Sequence, residues 1–119
     1  MALHLTPDIL VGTYNLLRVT PPFRLWHLPE PEAISFVVGA DPRLCGYHSV
    51  TPGANDHQIM LSVNAISRLD TALPVMAHEM IHLFQHIAGR LTKGGVHNAD
   101  FHRLAARVCR HHGFDPKAF

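Results

Sequence analysis

Two histidines and a glutamate stand at a spacing that suits metal-dependent hydrolysis. They are His78, Glu79 and His82, in the pattern H-E-x-x-H. Residues four apart lie on one face of a helix, so both imidazoles can reach a single Zn²⁺ ion at about 2.0–2.1 Å. Glu79 is turned by about 100° from His78 and would lie beside the ion, where a general base is needed. The pattern therefore predicts a zinc site with a catalytic carboxylate next to it.

The sequence around this motif is typical of an amphipathic helix. Apolar residues recur at three- and four-residue steps through the segment, which indicates a stripe facing the core. Asp70 or Thr71 can serve as the N-cap, and Pro74 then falls in the first turn, where its missing N–H costs little. Gly89 is a residue type often found just after a helix end. We predict a helix over about residues 71–88.

A catalytic zinc ion needs a third protein ligand and an open position for water. The metzincin pattern is excluded, because Gln85 and Ala88 occupy the places of its glycine and third histidine. A distal glutamate ligand is excluded too, since no glutamate follows Glu79. Four downstream residues with ligand side chains remain: His86, His97, Asp100 and His102.

Position along the chain separates these four candidates. His86 lies one turn farther along the same helix, where it would crowd the far side of the ion, and a surface or packing role suits it better. His97 follows a flexible Gly-Gly turn that could bring a second element back over the helix, and it precedes a predicted helix with Asn98 as N-cap. His97 is therefore favoured over Asp100 and His102.

Taken together, these segments resemble the SprT-like domain of the Spartan proteases. That family has HEMIH-type helices, matched here at residues 78–82, and a later G-H-x-x-[DE]-F-type segment, matched at residues 96–101, with fourteen residues between His82 and His97. Residues 44–48 and 58–62 resemble the family's hairpin before the active-site helix, so the resemblance covers about residues 33–114. It implies the following zinc ligands and catalytic acid/base: His78, His82 and His97, with Glu79.

The chain departs from this family pattern in three ways. Val96 stands where the family usually has glycine. The only two cysteines, Cys45 and Cys109, form no C-x-x-C, so the resemblance is to a minimal form without the C-terminal zinc ribbon. No tail with DNA-binding or partner-binding motifs is visible. These departures leave the zinc ligands in place and concern DNA targeting.

The rest of the chain predicts one α+β domain over residues 1–119. A chain of 119 residues with 47% hydrophobic content can bury a single core. Thr6-Pro7-Asp8 starts a helix that runs to about Arg18, and a final helix covers about residues 99–112. Three strands are expected near residues 33–38, 44–50 and 58–63, with the second pairing back on the first. The expected fold is a minimal zincin-like domain with a three-stranded antiparallel sheet.

The function predicted from these features is that of a zinc-dependent metallopeptidase. It would hydrolyse peptide bonds by a zinc-bound water, with Glu79 as general base, on an extended peptide along an edge strand. Tyr47 and His48 are candidates for stabilising the oxyanion. Two alternatives remain: a zinc hydrolase of a non-peptide bond, because H-E-x-x-H does not fix the substrate, and a non-enzymatic zinc-stabilised binding module. Glu79 argues against the second, because a structural site needs no acid beside it.

Charge and hydropathy bear on partners and location. The net charge is only +1, but residues 90–119 hold six Lys and Arg against two Asp. Arg103, Arg107 and Arg110 share one helical face that could give weak DNA binding, although a solvated face is the commoner explanation. No apolar run approaches the ~18 residues of a membrane span, and no signal peptide is visible. A cytoplasmic protein that acts on proteins or peptides is expected.

Overall fold

A computed structural model describes residues 4–51, 56–63, 69–90 and 97–119. The elements follow the predicted order of helix, three strands, helix and helix, and short 3-10 turns occur between and after them. The helices and strands are α1 (Pro7–Arg18), β1 (Ile34–Gly39), β2 (Gly46–Thr51), β3 (Asp56–Ser62), α2 (Leu69–Ile87) and α3 (Ala99–His112). The predicted α+β class is confirmed.

Local signals in the sequence account for most of the helix ends. The Thr6 side chain accepts a hydrogen bond from the Ile9 amide at 3.2 Å and caps α1. Asn98 caps α3 in the same way, as predicted. Gly89 and Gly113 follow α2 and α3 with φ of 68° and 76°, a conformation that glycine adopts without strain. Helix α2 begins two residues before its predicted start at about residue 71.

The start of α2 also differs from the prediction in its capping. The helix begins at Leu69, so both suggested N-caps, Asp70 and Thr71, lie inside it. Pro74 consequently lies in the second turn rather than the first.

The sheet is mixed, which corrects the expectation of an antiparallel one. The strand order is β1-β3-β2, with β3 antiparallel to β2 and parallel to β1. The second strand therefore pairs with the third and not with the first. The apolar content of β3 explains its central place, because Ile59, Met60 and Leu61 are all buried. β2 carries polar, half-buried side chains and forms an edge.

Helices α1 and α2 pack against the sheet, and α3 packs against α2. The core lies between these helices and one face of the sheet. Ile34, Ile59 and Leu61 project from that face into a core that also contains an apolar stripe of α1. The stripe consists of Leu10, Tyr14 and Leu17, which are 0–2% exposed. Helix α2 contacts β2 and β3 as well as both other helices. No helix in the described segments is long and apolar enough to cross a membrane.

Candidate metal centre

Three histidines from two elements converge at one point. His78 and His82 project from one face of α2, and His97 lies two residues before α3. The Nε2 atom of His78 is 3.2 Å from Nε2 of His82 and 3.2 Å from Nε2 of His97. Two ligands of a tetrahedral zinc ion, each at 2.0–2.1 Å, lie about 3.3–3.4 Å apart. The observed spacing thus fits a single ion of that size, and the structure brings together all three predicted ligands.

The aromatic ring of Phe101 contacts all three imidazoles. Phe101, only 2% exposed, stacks on the His82 ring with centroids 4.7 Å apart and an interplanar angle of 20°. It also contacts His78 edge-on at 4.9 Å and His97 at 4.7 Å. Phe101 therefore restricts all three rings. The sequence contained this residue in the quoted motif but gave no sign of its role.

A polar network ties the His97 segment to α2. The Gln85 side chain is fully buried and donates hydrogen bonds to the side chains of Asn98 at 3.1 Å and Asp100 at 3.0 Å. Arg90, which follows α2, donates to the other oxygen of Asp100 at 2.6 Å. These bonds fix the start of α3 relative to α2. The exposed His97 is thereby anchored at its C-terminal side although it lies outside any helix.

Burial prepares the two helical histidines for a metal ion. Burial, with a smaller contribution from the neighbouring histidines, lowers the pKa of both His78 and His82 to about 4. Both imidazoles are therefore neutral at pH 7. A neutral imidazole has the free lone pair that a metal ion requires, so no proton has to leave before binding.

Glu79 lies beside the triad and is only 5% exposed. Burial raises the pKa of its carboxyl to about 7. The close approach of β2 produces this burial, and it depends on Gly46. A Cβ atom added at Gly46 would lie 2.6 Å from the Met60 carbonyl oxygen and 3.5 Å from a Glu79 carboxylate oxygen. Glycine at this position lets the strand pass directly over the acid.

The triad and Glu79 open into a groove of about 410 Å³ between β2 and α2. In the part of the chain that the structure describes, β2 has β3 as its only strand partner, so its other edge keeps free backbone N–H and C=O groups. The groove is lined by Gly46, Tyr47, His48, Ser49 and Val50 of β2, by His78, Glu79, His82 and His86 of α2, and by His97.

Two of the rejected ligand candidates have other contacts. Asp100 forms ion pairs with Arg90 and Arg103, which occupy its carboxylate away from the triad. His102 is exposed, and its ring meets the edge of Phe101 with centroids 5.8 Å apart. Neither residue belongs to the group whose ligand atoms all lie within 4.8 Å of one another.

The two suggested oxyanion donors also have partners of their own. Side chains alternate along a strand, so Tyr47 and His48 project to opposite faces of the sheet. The Tyr47 hydroxyl accepts a hydrogen bond from Gln58 at 2.6 Å. His48 faces α2, where its Nε2 lies 3.0 Å from Nδ1 of His57. His86, the remaining ligand candidate, packs near this pair and not in the triad.

A helix carrying H-E-x-x-H, with a third histidine just before the next helix, defines a zincin-like domain. A sequence model of the SprT-like family matches residues 12–118, nearly the whole chain. The chain therefore belongs to the SprT-like family, as the resemblance indicated. A search of curated proteins finds none that matches it.

The first prediction concerns metal content. Protein stripped with a chelator, given one equivalent of zinc and then desalted should retain about one ion per chain. His97→Ala should lose the ion nearly as completely as His82→Ala, because each removes one of three ligands. His102→Ala, which removes an exposed histidine outside the triad, should retain it. Elemental analysis measures the zinc content of each protein. Full retention of zinc by His97→Ala would contradict the assignment of His97 as the third ligand.

The second prediction follows from the burial of Glu79. Its pKa in the folded, metal-free protein is about 7, against an ordinary value of 4.5. The folded state therefore binds the proton more tightly than the unfolded state, and the carboxylate lowers stability progressively as pH rises from about 4.5 to 7. Glu79→Gln should raise the free energy of unfolding of metal-free protein by roughly 2–3 kcal/mol at pH 8, and by less than about 1 kcal/mol at pH 5.

Urea unfolding at the two pH values measures this difference. Glu32→Gln is the matched control, because Glu32 is exposed and its substitution should change stability by less than about 0.5 kcal/mol at either pH. Equal free energies of unfolding of Glu79→Gln and wild type at pH 8 would show that burial of the carboxylate does not destabilise the fold.

Proposed function

We propose that this chain is a zinc-dependent metallopeptidase in which His78, His82 and His97 hold the ion and Glu79 is the catalytic acid/base. One observation carries the proposal: three imidazole nitrogens spaced for one ion share a groove with a buried carboxylate of raised pKa. Strongly perturbed acids and bases concentrated in a cleft are typical of catalytic sites. Membership of the SprT-like family supports the same assignment.

The residues of the chain have separate tasks in this mechanism. A bound zinc ion supplies a Lewis acid that lowers the pKa of its water to near 7 and polarises a carbonyl. Glu79 accepts the proton of the attacking water and returns it to the leaving amine. Burial raises the pKa of this carboxyl, which makes it a better proton acceptor than an exposed glutamate. Phe101 and the Gln85 network hold the three imidazoles in place.

The groove suggests how a substrate is bound. A peptide in extended form can hydrogen-bond to the free edge of β2, adding a fourth strand to the sheet. Because β2 passes over Glu79 at Gly46, such a peptide would lie beside both the triad and the acid. Backbone pairing of this kind selects an unfolded or extended segment rather than a particular side chain. We propose protein or peptide substrates on this basis.

Two other functions stay open as alternatives. A zinc hydrolase of a non-peptide bond would use the same metal ligands and base. A non-enzymatic zinc-stabilised module would use the histidines alone, and the cost of burying Glu79 beside them argues against it. Digestion assays separate these cases: wild type that binds zinc but degrades neither casein nor protamine would favour one of the alternatives.

The third prediction tests the role of Glu79 in chemistry. Glu79→Gln is nearly isosteric but cannot accept the water proton, so zinc content should stay at the wild-type level. Casein hydrolysis should fall by a factor on the order of 10²–10⁴. His102→Ala is the control for substituting a polar residue near the site, and it should keep wild-type activity. A zinc-loaded Glu79→Gln protein that remains active would remove the mechanism proposed for this residue.

The fourth prediction concerns DNA, for which we propose weak binding through Arg103, Arg107 and Arg110. All three are exposed on α3, but Arg103 is partly neutralised by its ion pair with Asp100. Two or three phosphate contacts give a slope of log affinity against log salt near −0.7 per contact on single strands. We expect micromolar or weaker affinity that disappears by about twice physiological salt.

Anisotropy titrations with a labelled single strand measure this binding. Replacing the three arginines with serine should abolish it, whereas Arg24→Ser, at an exposed arginine on another part of the chain, should not. Zinc content should be the same in all of these proteins. The absence of binding at low salt would contradict the proposal and leave a peptidase that reaches its substrates without DNA.

A further inference from the structure

A second cluster of three histidines lies one helical turn beyond the first, and two of its members, His48 and His86, line the same groove. His86 comes from α2, His48 from β2 and His57 from β3. The ring centroids of His48 and His57 are 5.3 Å apart, and His86 lies 5.2 Å from His57 and 6.1 Å from His48. In the first triad the corresponding separations are 4.9–5.1 Å. Two of the three separations are thus close to those of the first triad, and the separation of His48 and His86 is longer.

Regular secondary structure holds each member of this cluster in place. In the antiparallel pair of β2 and β3, His48 lies opposite Ile59 and His57 lies opposite Val50. The two histidines are therefore diagonal neighbours on the face of the sheet that packs against α2. His86 follows His82 by four residues, so the helix repeat brings it onto the groove side of α2. Ligands on strands and helices are held more rigidly than ligands on loops.

The chemistry of the cluster suits a transition metal ion. Nε2 of His48 and Nδ1 of His57 lie 3.0 Å apart, close to the roughly 3.3–3.4 Å expected between two nitrogens on one tetrahedral ion. His57 is 8% exposed. Burial is the main cause that lowers the pKa of both residues, to about 4 for His48, which favours the uncharged form that binds a metal ion. Three imidazoles form a ligand set that zinc, copper and nickel accept.

We propose that His48, His57 and His86 form a second binding site for a divalent transition metal ion, separate from the first triad. Among the residues the structure describes, only the first triad already has one ligand atom from each member within 4.8 Å of the others. The three ligand nitrogens of the second site therefore come within reach of one ion when the half-buried His86 ring rotates towards the His48–His57 pair. This step moves one side chain and leaves the backbone of all three elements in place.

An ion at this second site would change the groove itself. It would connect β2 and β3 to α2, the two walls between which an extended peptide has to lie. Occupancy should therefore inhibit peptide hydrolysis when the metal ion is in excess. The binding of the second ion does not depend on the proposed peptidase activity, whereas the inhibition rests on it. Measurements of stoichiometry and of activity consequently test the two proposals separately.

Equilibrium dialysis against increasing Zn²⁺ tests the site directly. Wild type should bind two ions, the second with a dissociation constant on the order of 10 µM, weak enough for desalting to remove it. His86→Ala and the conservative His57→Gln should each bind one ion at the same zinc concentration. His111→Ala, at an exposed histidine on α3, is the matched control and should bind two. His78→Ala should lose the first ion and retain the second, and adding His86→Ala to it should remove that one as well.

Two outcomes would overturn the second site, and a third would overturn only the inhibition that its occupancy is expected to cause. One is saturation of wild type at a single ion. Another is retention of the second ion by both His86→Ala and His57→Gln, which would make it an adventitious surface ion only. The third concerns activity. Excess zinc should lower the rate of casein hydrolysis by about tenfold or more in wild type and by much less in His86→Ala. An equal response of the two proteins to excess zinc would refute the proposed inhibition.

Discussion

The repeat of one helix determines both the core and the site of this domain. Along α2, the fully buried Met76, Met80 and Leu83 face the sheet and the other helices. Three histidines at four-residue spacing, at positions 78, 82 and 86, face the groove instead. The apolar stripe fixes the rotation of the helix about its axis, and that rotation determines the direction in which each of these three histidines projects. A shift in the core would therefore displace the candidate metal ligands as a group.

The third candidate ligand needs a different kind of support, because His97 precedes α3 instead of lying on α2. Its position is set by the polar contacts of Gln85 and Arg90 with Asn98 and Asp100. Hydrogen bonds depend on direction more strongly than apolar contacts do, so this network defines where α3 begins. Together with the ring of Phe101 under the imidazoles, it gives an exposed residue a defined place.

The sequence predicted the helices and the His78–His82 pair because both are recorded in local spacing, whereas His97 was predicted from its place before α3 and from the family resemblance. Caps such as Asn98 and the H-E-x-x-H pattern each involve residues within a few positions of one another. The direction of β1 could not be predicted, because side-chain alternation indicates which face a strand buries but not which way it runs. The cluster of His48, His57 and His86 was missed for a related reason. It exists only through the register of β2 on β3.

The close approach of β2 to α2 links stability to function. It buries Glu79 and raises the pKa of that carboxyl, and it is possible because position 46 is glycine. An anionic carboxylate in this position costs stability in the metal-free fold, and a cation in the triad beside it would offset that cost. Metal binding is therefore expected to stabilise the fold as well as complete the site. The arrangement that suits Glu79 to proton transfer thus also couples folding to the metal ion.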